Sequence, residues 1–340
     1  MRNAENLGDQ GDEQLRVGGL TLSGRALLAP MAGVTDSAMR RIAGRFGASA
    51  TFNEMITAEG VARDDKETRL RLCGEGSRPS AVQIAARDVE GVAFAARRAV
   101  DSGAQWIDIN MGCPCKRVTG GLAGSALMRD LDHASRLVAA VVSAVTTPVS
   151  VKMRLGWDDS SRNAPELARR AQAEGVALVT VHGRTRQQFY KGSADWEAIA
   201  AIKAAVTIPV IANGDCDSPQ AAKEMLRLSG ADGVMVGRAA VGRPWLVGDI
   251  AHYLATGKRR PQPSSAERAA IALEHMESLL SAMGQGPGLR HARKHLAAYV
   301  DHAGRASSPL RNALVTAEDP NEARRLIERL FAHPEREAAA

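Results

Sequence analysis

The sequence predicts a closed (β/α)8 barrel followed by a smaller helical domain, and three observations carry that prediction. Eight short apolar or alternating runs recur up to about residue 257, each ended by Gly, Pro, Asn or a charged residue. Stretches of helical periodicity separate them, which argues for parallel β/α units closing on themselves. No G-x-G-x-x-G follows any of the runs, which weakens the alternative of an open doubly wound sheet. With 340 residues, 45% of them hydrophobic, the chain can house a barrel of roughly 250 residues and a second domain.

Each element has a local reason. Residues 1–14 are polar and mixed in charge, and read as a flexible lead without the apolar core of a signal peptide. Segments 15–17 and 20–22 flank Gly18-Gly19, a small hairpin suited to plug the barrel's lower end. The strands are expected at 26–29, 50–53, 81–84, 106–110, 149–153, 178–181, 210–212 and 233–236. After the first, Met39, Ile42, Ala43 and Phe46 share one helical face, with Thr35 or Asp36 placed to cap the start. Gln105, Gly175 and Gly230 sit near helix-to-strand returns. The barrel is expected over 15–257. Lys258-Arg259-Arg260-Pro261-Gln262-Pro263 then forms a basic, Pro-rich linker that resists helix formation. Ser264 with Glu267 is a capping-box signature for a helix through about Met283. Further helices are expected at roughly 288–302 and 322–332, so 258–335 reads as a separate helical domain.

Composition narrows the function. The formal charge of +6 is compatible with a polyanionic partner. Cys73, Cys113, Cys115 and Cys216 form no C-x-x-C pair and are too few for a disulfide framework, so a reducing, cytoplasmic setting is expected. Nothing approaches eighteen consecutive apolar residues, so no membrane span is expected.

The most informative stretch is Ile107-Asp108-Ile109-Asn110-Met111-Gly112-Cys113-Pro114. Alternation makes a strand, Gly and Pro break it, and a thiol is left on the loop at the strand's C-terminal end, where barrels assemble their chemistry. Ala29-Pro30-Met31-Ala32-Gly33 offers small residues and a fixed turn along which a flat ligand can lie. Gln83 is an amide between apolar neighbours that needs a partner if it points inward. Lys152 ends strand five, where a lysine is costly unless paired or working; a Schiff base and positive charge for an anionic cofactor both suit it. His182-Gly183-Arg184-Thr185-Arg186 ends strand six with an imidazole and two arginines, suited to an anion or an RNA backbone. Asn213-Gly214-Asp215 and Gly237-Arg238 end strands seven and eight, where barrels hold phosphates. In the helical domain Arg290, Arg293 and Lys294 form a basic face, while Leu289, Ala292 and Leu296 face the core. His291 and His295 stand at i, i+4, but the Glu of an H-E-x-x-H pattern is missing, so no metal is expected.

These residues carry a resemblance. Ala29-Pro30-Met31-Ala32-Gly33, Asn110-Met111-Gly112-Cys113-Pro114, Leu122-Ala123-Gly124-Ser125-Ala126-Leu127, His182-Gly183-Arg184-Thr185, Asn213-Gly214-Asp215 and Gly237-Arg238 make the chain similar to the dihydrouridine synthases, nearest their bacterial B branch. The resemblance runs from about Leu15 to at least Tyr253 and more loosely beyond. It implies a TIM barrel binding FMN, NADPH as the usual reductant, tRNA as substrate and a helical RNA-binding domain. It further implies that Cys113 is the general acid, that Asn110 lies near flavin and substrate, and that Pro30, Met31 and Ala32 lie along the flavin. Gln83 and Lys152 would contact its polar edge. His182, Asn213, Gly214, Asp215, Gly237 and Arg238 would hold its phosphate end. Arg184, Arg186, Arg290, Arg293 and Lys294 are the expected RNA contacts, and a monomer is expected. Cys115 departs from the motif, which leads us to expect an aliphatic or small residue there. The competing readings are a barrel oxidoreductase for a small molecule of dihydroorotate or enoate type, a non-catalytic RNA-binding protein, and a Schiff-base aldolase using Lys152.

Overall fold

The computed structural model describes residues 14–72 and 79–332; nearly all of the lead at 1–14, together with Cys73 and residues 333–335, lies outside them. Eight parallel strands close into a ring. They are β1 (Ala26–Leu28), β2 (Ala50–Phe52), β3 (Ser80–Ala85), β4 (Trp106–Met111), β5 (Val149–Arg154), β6 (Leu178–His182), β7 (Val210–Asn213) and β8 (Gly233–Val236). Neighbours pair in chain order, β8 pairs with β1, and β2 pairs with β3, so no open edge remains. All eight runs anticipated from the sequence are strands. A two-residue strand, Ile56–Thr57, adds to the far end of β3 through Ile84 and Ala85; it is too short to carry a periodic signal.

The two-residue period of a strand sorts the barrel into inside and outside. In β4, Ile107, Ile109 and Met111 join the layer shared with the outer helices, while Trp106 joins the barrel interior. Asp108 and Asn110 share Trp106's face by the same alternation. The interior floor is apolar: Leu27, Phe52, Trp106, Leu178, Ile211 and Met235 fill it, with Phe52 and Trp106 packed edge-on at 4.9 Å. The hairpin Arg16–Val17/Leu20–Thr21 sends Leu15, Val17 and Leu22 into this floor and closes the lower end. Polar groups are thereby confined to the upper layer.

Outer helices return the chain between strands: α1 (Ser37–Arg45), α2 (Ala58–Ala62), α3 (Val89–Asp101), α4 (Leu131–Ala144), α5 (Ala164–Ala173), α6 (Ala200–Ala205), α7 (Pro219–Ser229) and α8 (Leu246–Thr256). Asp36 caps α1 by accepting the Met39 N–H at 2.9 Å, which decides between the two candidate caps. Residues 258–264 are non-helical, and Arg260 and Gln262 tie them to Phe46 and Asp249.

Four helices follow: α9 (Ser265–Met283), α10 (Gln285–His302), α11 (Pro309–Thr316) and α12 (Pro320–Phe331). The Ser264–Glu267 capping box forms as read. Helix α11 was not anticipated, although Ser308 followed by Pro309 is a start signal. The four share a core of Ile271, Met276, Leu296, Tyr299, Leu314, Ile327 and Leu330. Ile42 of α1 and Trp245 belong to that core, so it is continuous with the barrel's flank. Among the described residues no helix is long and apolar enough to cross a membrane.

Candidate active site

The upper interior layer is a directional chain of hydrogen bonds. Asn110 Oδ1 receives the N–H groups of Cys113 at 2.9 Å and Gly112 at 3.2 Å. Asn110 Nδ2 donates to Gln83 Oε1 at 2.7 Å, and Gln83 Nε2 donates to Asp108 Oδ2 at 2.6 Å. Ser150 donates to the other Asp108 oxygen and accepts from Trp106 Nε1 at 2.8 Å. One arm of donors runs from the cysteine loop and another from Trp106 in the floor, both toward one buried carboxylate, which fixes both amides in a single orientation. Burial pushes the Asp108 carboxyl up to about 6, against the pull of the Ser150 and Gln83 hydrogen bonds.

Cys113 sits half-buried at the lumen's mouth. The segment Leu122–Leu127 clasps it from the other side: Ser125 donates to the Cys113 carbonyl through its N–H at 3.1 Å and its hydroxyl at 2.9 Å. Gly124 has φ +60, and a Cβ there would lie 2.9 Å from that carbonyl, so the clasp requires glycine. Arg154 Nε donates to the Gly112 carbonyl at 2.8 Å and its Nη1 to the carbonyls of Thr185 and Phe189. Burial raises the thiol pKa above its ordinary value, so Cys113 is protonated at neutral pH. Cys115 is exposed.

On the neighbouring strand, in register with Asn110, Lys152 Nζ donates to Asn213 Oδ1 at 2.9 Å, and Asn213 Nδ2 donates to the Met235 carbonyl at 2.7 Å. Burial pulls the ammonium down to about 8, helped by Arg154. His182, beside them, is held well below its ordinary pKa by burial and then by Lys152, Arg154, Arg184 and Arg238, so it is neutral. Lys152, Arg154, Arg238 and Arg184 surround this imidazole, and since one carboxylate, Asp215, faces the last two, the corner keeps an excess of positive charge. Gly214 has φ +116, and a Cβ there would meet Ala194 at 2.7 Å and His182 Nε2 at 3.2 Å. Pro30, Met31 and Gly237 are half-buried at the rim, and Ala32 and Arg238 are exposed. Arg238 lies over the Tyr190 ring at 4.7 Å.

Two residues depart from the roles read in the sequence. Arg184 is buried, bonded to Asp215 at 2.5 and 3.0 Å and to the carbonyls of Lys191 and Gly192, so its charge cannot reach an RNA backbone. Arg184 instead braces the β7 loop, and Asp215, already neutralised, can offer a phosphate only its backbone. Arg293 donates Nη2 to the Ala317 carbonyl at 2.9 Å and joins α10 to the end of α11. Arg186 is stacked on Trp157 and Phe189, at 4.6 and 4.8 Å. Arg290 and Lys294 remain on the surface, lining a cleft of about 720 Å³ between the barrel mouth and the helical domain.

Sequence reasoning passed over Asp108, Ser150, Arg154 and Tyr190. The first three alternate with Asn110 or Lys152 along β4 and β5, so strand period alone places them on the interior face. Tyr190 lies in an irregular loop and carried no such signal.

The model of the family described as dihydrouridine synthase matches residues 27–335. The chain is 49% identical over 323 residues to a probable tRNA-dihydrouridine synthase of Rhodobacter capsulatus, covering 94% of this chain and 98% of that one. It is 48% identical over 304 residues to a probable tRNA-dihydrouridine synthase of Rhizobium leguminosarum, covering 89% and 94%. It is 49% identical over 308 residues to a tRNA-dihydrouridine synthase B of Xanthomonas campestris, covering 90% and 92%. Among solved structures, the barrel is similar to histamine dehydrogenase from Rhizobium sp. 4-9 (TM-score 0.53, 15% identity, 80% of this chain, 50% of that chain). It is also similar to a 2-naphthoyl-CoA reductase (TM-score 0.57, 11% identity, 72% of this chain, 52% of that chain). The chain thus spans about half the length of either structure, and the likeness is one of fold.

Proposed function

The chain belongs to the dihydrouridine synthase family, and on that premise we propose that it reduces uridine to 5,6-dihydrouridine in tRNA, with FMN bound and NADPH as reductant. The observation that carries the reading is a thiol kept protonated by burial and fixed at the barrel mouth by Asn110, facing a cationic corner. That corner fits a flavin monophosphate. His182, Gly237, Arg238 and the backbone at Asn213, Gly214 and Asp215 would hold the phosphate end. Pro30, Met31 and Ala32 would flank the ring, and Lys152 and Gln83 would meet its polar edge.

FMN, when bound, would supply the hydride chemistry for reducing the uracil C5–C6 bond, with NADPH as the reductant. The protein's own residues do the rest. Cys113 donates the proton to C5, a role suited to a thiol whose pKa lies above the working pH. Asn110 holds the cysteine loop in register through two N–H groups. Lys152, still mostly charged near neutrality, steadies negative charge at the lumen's mouth. A stacked uridine cannot reach that depth, so the base swings out of the RNA into the mouth. Arg290 and Lys294 of the helical domain, residues 258–335, grip the backbone, with Arg186 at the rim. The same reading places a monomeric enzyme in the cytoplasm and gives no metal a part in the reaction.

Heat release of the cofactor followed by chromatography, paired with an NADPH oxidation assay on tRNA lacking dihydrouridine, tests this. FMN and tRNA-dependent oxidation are expected. FAD alone, or no flavin after reconstitution, would refute the cofactor; oxidation indifferent to tRNA would refute the substrate.

A further inference from the structure

At the seam between barrel and helical domain, three imidazoles face one carboxylate. Asp36, fixed as the cap of α1, has its Oδ2 at 3.2 Å from His295 Nε2 and 3.7 Å from His291 Nε2. His275 Nε2 lies 3.3 Å from Oδ1, and its Nδ1 lies 3.2 Å from the Tyr299 hydroxyl. His291 and His295 are one turn apart on α10 and project from the same face.

Hydrogen bonding accounts for only part of this convergence, the contact of His275 Nε2 with Asp36 Oδ2 at 3.4 Å. His295 is 1% exposed, yet neither ring nitrogen has a hydrogen-bond partner among the described residues, and His291 Nε2 likewise has none. The 3.2 Å approach of His295 to Asp36 therefore lacks hydrogen-bond alignment, and charge-assisted bonds run closer to 2.7–2.9 Å. Ligands about 2.0–2.1 Å from a tetrahedral ion, in contrast, stand roughly 3.3–3.4 Å apart. The ligand atoms of Asp36, His291 and His295 all lie within 4.8 Å of one another.

We propose that Asp36, His291 and His295 bind a divalent transition-metal ion of the Zn²⁺ class, joining α10 to the barrel. Two imidazoles and a carboxylate suit that class better than Mg²⁺ or Ca²⁺. His275 acts as the outer partner that orients the carboxylate. His291 lines the cleft and is 19% exposed in its side chain, so a remaining coordination position opens toward solvent there. The ion sets the seating of α10, which carries Arg290 and Lys294 over the barrel mouth. Lys294 Nζ reaches to 3.2 Å from the position a Cβ would take on Gly33 in the β1 loop.

The test uses the full chain, stripped with chelator and titrated with Co²⁺ and then Zn²⁺. One Co²⁺ per chain is expected, with the strong visible absorption of low-coordinate cobalt, displaced by Zn²⁺. The melting temperature should rise until one equivalent is bound. His291→Ala, a partly exposed site where the chain should still fold, should weaken Co²⁺ binding by more than the ~10–100-fold that loss of an outer-shell partner costs. Its melting temperature after chelation, compared with wild type, reports whether the fold survived; if it did not, His291→Gln is titrated instead. Absence of stoichiometric binding at micromolar Co²⁺ would overturn the proposal. So would thiolate-to-cobalt charge transfer, which would place the ion on cysteines, or affinity unchanged in the His291 variant.

Discussion

Asp108 terminates the hydrogen-bond chain that positions Cys113, and replacing it with asparagine separates its charge from its shape. The substituted amide can still accept from Gln83 through oxygen and donate through nitrogen to the Ser150 hydroxyl, so the Gln83 arm keeps its direction and only the Ser150 bond reverses. Only the ionisable proton is removed. In the folded protein burial lifts this carboxyl from 3.8 to about 6. Between those values the folded chain keeps a proton that the unfolded chain has released. Wild-type stability therefore falls as pH rises through this window and stays lower above it. Roughly two pH units at 1.36 kcal/mol each give about 3 kcal/mol. Titrating groups other than Lys152, whose charge is coupled to that of Asp108, are common to both proteins and cancel in the difference. Asp108→Asn should therefore gain about 3 kcal/mol on wild type between about pH 4 and pH 7, read as a gap of several degrees in melting temperature that opens toward neutrality. Parallel melting curves across that range, or a gap that opens toward acid, would refute the assignment of Asp108 as a buried, high-pKa anchor.

Cys113→Ala should bind flavin and accept hydride from NADPH normally, while reoxidation by tRNA slows ~10²–10⁴-fold, because only C5 protonation is lost; Cys115→Ser should retain most activity. Stopped-flow flavin reoxidation decides between them, and a collapse confined to Cys115→Ser would show the wrong thiol had been chosen. Neutralising Arg290 and Lys294 together should flatten the log–log salt dependence of tRNA binding by about two units, one per phosphate contact. Arg293 is left out because its guanidinium is engaged by the Ala317 carbonyl; an unchanged slope would move the RNA surface elsewhere.

The barrel was legible in the sequence because its signals are local. Strand alternation, helix caps such as Ser264–Glu267, and the glycine and proline breaks all act within a few residues. The same alternation put Asn110 and Lys152 at strand ends, and the motif around Cys113 pointed to chemistry. What each polar side chain would meet was decided by closure of the ring. Gln83, Asp108 and Asn110 lie on two strands, and only their parallel register turns three separate polar residues into one directed chain. Arg184 shows the converse. Its sequence context suggests an anion site, but the β7 loop brings Asp215 to it and the β6 loop wraps two carbonyls around it, and a buried guanidinium must satisfy those partners first. The histidines of α10 show it again. Their spacing without a Glu between them argues against a metal, because the carboxylate they face stands at the start of α1, a neighbour created by packing the helical domain on the barrel. Local chemistry determined the elements and their order; long-range packing determined which charges are spent inside and which remain available to a ligand.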